Sequence, residues 1–190
     1  KRDILKIIKK NIDKKKKYNH LIRVAINKTT ISISLRKKIK PKINFNLKLL
    51  NLKRHKPEFK NLKYKEILRY LSKLDNSKFD IGLCSNKKIF ETGTSNILFI
   101  KDNKVFSPFN KFYKGITFKF FRSKIKKIIN KDIPVNSLKE FDEIILIGSG
   151  KGVASVNLIE QVKWKRKSLK FYKKLYKYHL SAVNNNLEYI

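Results

Sequence analysis

The chain has 190 residues, with 48 Lys and Arg against 14 Asp and Glu, giving a formal charge of +34 at pH 7. That length suffices for one domain with a sizeable core, or for a small lobe beside a larger one. The single cysteine, Cys84, excludes an intramolecular disulfide and a cysteine-rich metal site, and every apolar run falls far short of the ~20 residues that span a bilayer.

Ile4, Leu5, Ile7 and Ile8 form a helical stripe over residues 4–12. Asn11 and the basic run Lys14–Lys17 cut it off, and that run reads as a solvated turn. Residues 21–26 and 29–35 read as strands joined by an Asn27-Lys28 turn, with Ile31, Ile33 and Leu35 on one face. Pro41 and Pro57 bound a third extended segment over 43–52, in which Phe45, Leu47 and Leu49 alternate. From Asn61 the period changes, and Ile67, Tyr70, Leu71 and Leu74 predict a helix that Asp75-Asn76-Ser77 ends.

Strands follow over 81–90, interrupted by a turn at Ser85–Lys88, and then a polar crossing, Thr92-Gly93-Thr94-Ser95-Asn96, leads into the apolar run Ile97–Ile100. Asp102-Asn103 turns the chain back through Val105 and Phe106 to Pro108, a β-hairpin pattern. Lys111–Lys114 is a loop before Gly115. Phe118, Phe121, Ile125, Ile128 and Ile129 predict a basic amphipathic helix, read as lying on the sheet rather than on a membrane surface. Asp132-Ile133-Pro134 breaks it, and Leu138–Asp142 is a short helical turn. Strands over 143–147 and 153–156 flank Gly148–Gly152. A helix over 168–182 carries an aromatic stripe that reads as core packing.

Lysines occur in every segment, together with abundant Asn, Ile, Phe and Tyr, as a global bias in residue usage produces. The resulting field attracts polyanions without specifying one, so no specific nucleic-acid partner is expected. Cys84, flanked by Ile81, Gly82 and Leu83, reads as a small core residue. No secretory segment is visible, and a cytoplasmic location is expected.

Glu91-Thr92-Gly93-Thr94-Ser95-Asn96, followed by a strand, a turn and Ser107-Pro108, resembles the central signature of the class IV aminotransferases, the fold type IV enzymes that use pyridoxal 5'-phosphate. Gly115-Ile116-Thr117 resembles a second motif of that family. Leu146–Val153, with Gly148-Ser149-Gly150, resembles its second glycine-rich phosphate loop, in the required order. The resemblance covers about residues 63–156. It implies a mixed α+β, two-lobed fold, with residues 1–58 as the remnant of a small N-terminal lobe and 59–190 as the large cofactor-binding lobe. It also implies a homodimer, a small amino-acid-like or chorismate-derived substrate, and no metal. The family ordinarily has more of its small domain ahead of its lysine. The start at Lys1, in a chain without methionine, therefore points to an incomplete N-terminus.

By the same resemblance Lys63 carries the cofactor, with Lys60 as the alternative because the interval to Glu91 is shorter than usual. Glu91 pairs with the pyridine nitrogen. Ile116, Thr117, Ser149 and Gly150 hold the phosphate through backbone N–H groups and hydroxyls, the physics of a helix N-terminus and a glycine loop. Read without the family, Gly148–Gly152 is a flexible turn or a nucleotide loop, although a Walker motif needs Ser or Thr where Gly152 stands. Two departures stand out. Phe118 occupies the place of a family arginine, with Arg122 a turn later, and the small-domain arginine that binds phosphate has no counterpart, since Arg23 reads as a strand residue. The implied activity is that of a 4-amino-4-deoxychorismate lyase. A branched-chain or D-amino acid aminotransferase and a non-catalytic basic homologue are the alternatives. Leu68, where branched-chain members carry tyrosine, favours the lyase.

Overall fold

The structure, a computed structural model, describes residues 2–13, 15 and 20–185; Lys14, Lys16 and Lys17 of the expected solvated turn lie outside them. Contacts divide the chain into two compact units, one ending at Lys38 and the other running from Ile39 to Asn184. The first contains α1 (Arg2–Asn11) and an antiparallel hairpin of β1 (His20–Ile26) and β2 (Ile31–Lys37). Asn27 makes the turn, its Oδ1 accepting the amides of Thr29 at 2.9 Å and Thr30 at 2.7 Å. Ile22, Val24 and Ile26 stand opposite Leu35, Ile33 and Ile31, so these six aliphatic residues share one face.

The second unit is built on a nine-stranded mixed sheet. Its strands are β3 (Phe45–Asn51), β4 (Phe79–Ser85), β5 (Lys88–Thr92), β6 (Asn96–Lys101), β7 (Lys104–Pro108), β8 (Ile128–Lys131), β9 (Glu143–Gly148), β10 (Gly152–Ile159) and β11 (Trp164–Lys165). The order is β5-β4-β3-β10-β9-β6-β7-β8, with β11 on β10. The helices are α2 (Lys65–Leu71), α3 (Ile116–Lys124) and α4 (Lys170–Asn184). This is the expected mixed α+β class. The lobe boundary expected at 58 does not coincide with the division at 38, because β3 pairs in parallel with both β4 and β10 and so belongs to the large sheet.

Strand alternation sorts the core onto two faces. Phe45, Leu47, Ile97, Phe99, Ile144, Leu146, Ala154 and Val156 pack on one face with Leu138, Phe141 and Trp164. Trp164 satisfies its indole N–H on the Phe141 carbonyl at 2.8 Å. On the opposite face, Leu98, Ile100, Ile145, Ile147 and Val153 meet Phe118 and Phe121 of α3 and Leu175 of α4. Farther along that face Ile81 and Leu83 meet Ile67 and Leu71 of α2. Each such side chain contributes about 1.5–3 kcal/mol of burial.

The helix expected to reach Ile129 stops at Lys124, and Ile125 is already extended. Ile128–Lys131 pairs instead in parallel with β7, because a strand there completes the sheet edge while still directing Ile128 into the core. Cys84 is a buried core residue, and burial pushes its thiol up to about 12.

Glu143 opens β9 yet is 2% exposed. Its carboxylate accepts the amides of Phe171 and Tyr172, each at 2.8 Å, and the Ser168 hydroxyl at 3.0 Å. An acid is therefore spent on the unsatisfied donors at the start of α4. Glu143→Ala is expected to cost about 2–3 kcal/mol of unfolding free energy, the cost of orphaned, charge-assisted bonds. Urea denaturation measures this, and Glu160→Ala, at an exposed position, serves as a near-neutral control.

Candidate functional site

Glu91 lies near the end of β5, opposite Leu83 of β4, which places it on the face that carries α2. It is 5% exposed. A buried carboxylate needs a partner, and Arg54 supplies it: Nε donates to Glu91 Oε1 at 3.0 Å, and Nη2 donates to the Gly93 carbonyl at 3.2 Å. Burial pushes the Glu91 carboxyl above its ordinary 4.5. The Arg54 charge and hydrogen bond oppose that rise, as does a backbone hydrogen bond from Tyr113, while the neighbouring Glu58 charge adds to it. The turn that follows is tied by Ser95 N–H onto Thr92 Oγ1 at 2.9 Å and by Thr92 N–H onto the Ser95 carbonyl at 2.9 Å. A Cβ at Gly93 would sit 2.8 Å from Ile81 Cγ1, so only glycine lets the turn lie this close to β4.

Arg54 belongs to the loop that leads into α2. Asn61 gathers that loop, its Nδ2 donating to the carbonyls of His55 at 2.7 Å and Lys56 at 3.2 Å while its Oδ1 accepts Lys63 N–H at 2.9 Å. The helical spacing placed Lys63 in the first turn of α2, but the helix begins at Lys65 and Lys63 lies in the loop before it; both Lys63 and Lys60 are exposed. The loop that carries them is thus anchored to Glu91 through Arg54.

Asn96, last in the polar crossing, orders the approach to α3. Its Nδ2 donates to the Tyr113 carbonyl at 2.6 Å, and its Oδ1 accepts Gly115 N–H at 3.2 Å. Gly115 caps α3 without a side-chain hydrogen bond, and the first turn holds no acid. Its amides and partial positive charge therefore suit an anion. The Thr117 and Ser149 hydroxyls come within 3.4 Å of each other, so the two sequence-separated polar loops converge. Gly150 is half-buried beside Ser149, whereas Ile116 is 78% exposed. Phe118, where the family resemblance called for arginine, is 2% exposed and packs edge-on against Phe112. Arg122 is exposed.

Three side chains central to this arrangement were not anticipated: Arg54, Asp80 and Lys151. Asp80 is fully buried, and its Oδ2 accepts Lys151 Nζ at 2.8 Å, Thr92 Oγ1 at 2.9 Å and Thr94 Oγ1 at 2.6 Å. An acid inside an otherwise apolar strand was the available signal, since such a charge demands a cation. Lys151 and Arg54 were hidden among so many other basic residues. Two concavities lie elsewhere. One of about 180 Å³ borders Glu143, whose carboxylate caps α4; the other, of about 350 Å³, is lined by aliphatic residues of α1 and the hairpin.

Because native Glu91 holds its proton to higher pH than the unfolded chain does, its contribution to stability falls as pH rises from 4.5 through its raised value. Urea midpoints measured from about pH 4 to about pH 7 should therefore show Glu91→Gln gaining on the wild type. Arg54→Ala, which removes the opposing charge, should make the wild-type loss steeper. A Gln variant that instead loses ground as pH rises would mean that the carboxyl is stabilised in its charged form.

The family described as Amino-transferase class IV matches residues 1–159. No curated protein sequence matches the chain. Among solved structures, a Legionella pneumophila protein provisionally described as a 4-amino-4-deoxychorismate lyase has a TM-score of 0.72 at 17% identity, over 97% of this chain and 74% of its own. A branched-chain aminotransferase from Thermoproteus uzoniensis, solved with norvaline, has a TM-score of 0.67 at 13% identity, over 87% of this chain and 62% of its own. The branched-chain amino acid aminotransferase of Thermobaculum terrenum, in its PLP form, has a TM-score of 0.68 at 12% identity, over 86% and 62%. The chain thus spans only part of the length of each of these relatives. The match over most of the sequence, on a fold these structures share, establishes that the chain belongs to the class IV aminotransferase family.

Proposed function

We propose that this chain is a pyridoxal 5'-phosphate enzyme that converts 4-amino-4-deoxychorismate into 4-aminobenzoate and pyruvate, working as a homodimer. The observation that carries the reading is a buried, arginine-paired carboxylate on the same sheet face as a helix N-terminus where two hydroxyls meet. The donor set fits the cofactor. Glu91 suits a protonated ring nitrogen, the backbone of Ile116 and Gly150 with the hydroxyls of Thr117 and Ser149 suits a phosphate dianion, and the loop of Lys60 and Lys63 suits the carbonyl carbon.

When bound, the cofactor supplies an electron sink for the pair left when a bond at the substrate carbon breaks. Glu91, paired with Arg54, would face the ring nitrogen and favour a proton there. Thr117 and Ser149 fix the phosphate end, so the ring is oriented at both ends. Lys63, or Lys60 in its place, would hold the carbonyl carbon. Its amine, when free, would take the proton from the substrate's amine-bearing carbon and deliver one to the side chain, which departs as pyruvate as its ether C–O bond breaks.

Leu68 sides with the lyase, since a half-exposed aliphatic residue offers no hydroxyl where branched-chain members carry tyrosine. The likeness to branched-chain aminotransferases keeps transamination as the second reading; it would require a keto acid as second substrate.

Borohydride reduction of the protein loaded with cofactor, followed by peptide mapping, should place the adduct on Lys63. An adduct on Lys60 would move the assignment back along the same loop, and no adduct would overturn the cofactor reading. Formation of 4-aminobenzoate without any added keto acid is expected, and Glu91→Ala should slow it by about a hundredfold, the scale of losing one preorganised electrostatic contact. Turnover only with a keto acid would establish the aminotransferase instead.

A further inference from the structure

Lys151 stands in the β9–β10 loop, but its side chain is only 7% exposed. Its Nζ leaves that loop to bond Asp80 Oδ2 at 2.8 Å and Thr94 Oγ1 at 2.7 Å, 5.2 Å from the Phe45 ring centroid. Asp80 is bonded in turn by Thr92 and Thr94 of the turn that follows Glu91, and by Ile81 N–H at 2.8 Å. The two loops touch here as well: a Cβ at Gly148 would lie 3.1 Å from Ser95 Oγ. A buried ion pair returns little net stability, because desolvation of both charges offsets their attraction. What this pair imposes is register, since one ammonium ties the loop of Ser149 to the turn beside Glu91.

We propose that Lys151 is a positioning residue for the phosphate end of the site, acting through Asp80 and Thr94. It holds the β9–β10 loop so that Ser149 stands beside Thr117 before an anion arrives, and it fixes the distance between that cradle and Glu91. The inference rests on the reading of Thr117 and Ser149 as the phosphate cradle. Removing the tie releases both loops at once, and it weakens ligands that carry a phosphate more than those that do not.

The test uses the full chain, with Lys151→Met and, because that change leaves Asp80 buried without its cation, also the charge-neutral pair Lys151→Met with Asp80→Asn. Backbone hydrogen exchange without cofactor reads the coupling. Residues 92–96 and 148–151 should exchange faster together in both variants while β6 and β9 keep their protection. Exchange that changes in one loop alone, or in neither, would overturn the proposal. Binding of pyridoxamine 5'-phosphate and of pyridoxamine, neither of which carries an aldehyde to react with surface lysines, reads the consequence. The phosphate ester should lose about tenfold in affinity, the scale of one charge-assisted hydrogen bond, and pyridoxamine less than about twofold. Equal losses for both ligands would make Lys151 merely structural and overturn the positioning role. If the wild type bound neither ligand, the cofactor reading would fall, and the exchange measurement would still decide whether Lys151 couples the loops.

Discussion

The pairing of Glu91 with Arg54 is the interaction on which the candidate site depends. A carboxylate at this depth is driven towards its neutral form by desolvation. The guanidinium opposes that with both charge and a directed bond, and its second nitrogen spans to the Gly93 carbonyl. Removing one partner of such a buried pair costs about 3–5 kcal/mol, because the other charge is then left without compensation. The same contact fixes the loop ahead of α2, so the segment of Lys60 and Lys63 is located by the residue that pairs with Glu91.

Around that pair the fold brings separate pieces of chain together at loops rather than within strands. Glu91 ends a strand on the face covered by α2, whereas Asn96 begins the next strand on the stretch of that face covered by α3. The polar crossing between them is shared by both ends of the site. It bonds back to Asp80, forward to Gly115 and Tyr113, and across to Lys151. The hydrophobic core specifies where the strands lie, and these bonds specify where the loops lie. Glycine is required where the packing is closest. Gly152, with φ of 68°, leaves room for His179, whose Nε2 lies 2.6 Å from the position of a Cβ.

Much of this was legible in the residues. Apolar runs bounded by turn residues gave strands β4 to β7, β9 and β10, and the spacing of Ile67, Leu71 and Leu175 gave faces of α2 and α4 that the core uses. Thr117 and Ser149 were expected to share a task, and the fold places their hydroxyls side by side. Periodicity failed over Ile125–Ile129, where helical and strand spacing coincide over so few residues that pairing with β7 decides the outcome. Over Phe45–Asn51 it identified the strand but not its partners β4 and β10, which lie far along the sequence. Arg54 and Lys151 were unreadable for a compositional reason. In a chain so rich in basic residues, only three-dimensional placement distinguishes a cation that neutralises a buried acid from one that faces water.

The measurement that bears most directly on the central claim is the nitrogen-15 chemical shift of ring-labelled pyridoxal 5'-phosphate bound to the protein at neutral pH. A protonated ring nitrogen in the wild type, lost in Glu91→Gln, is the predicted result, because an ionised carboxylate held by Arg54 stabilises that proton. An unprotonated nitrogen in the wild type, or a signal indifferent to residue 91, would contradict the placement of Glu91 at the head of the site.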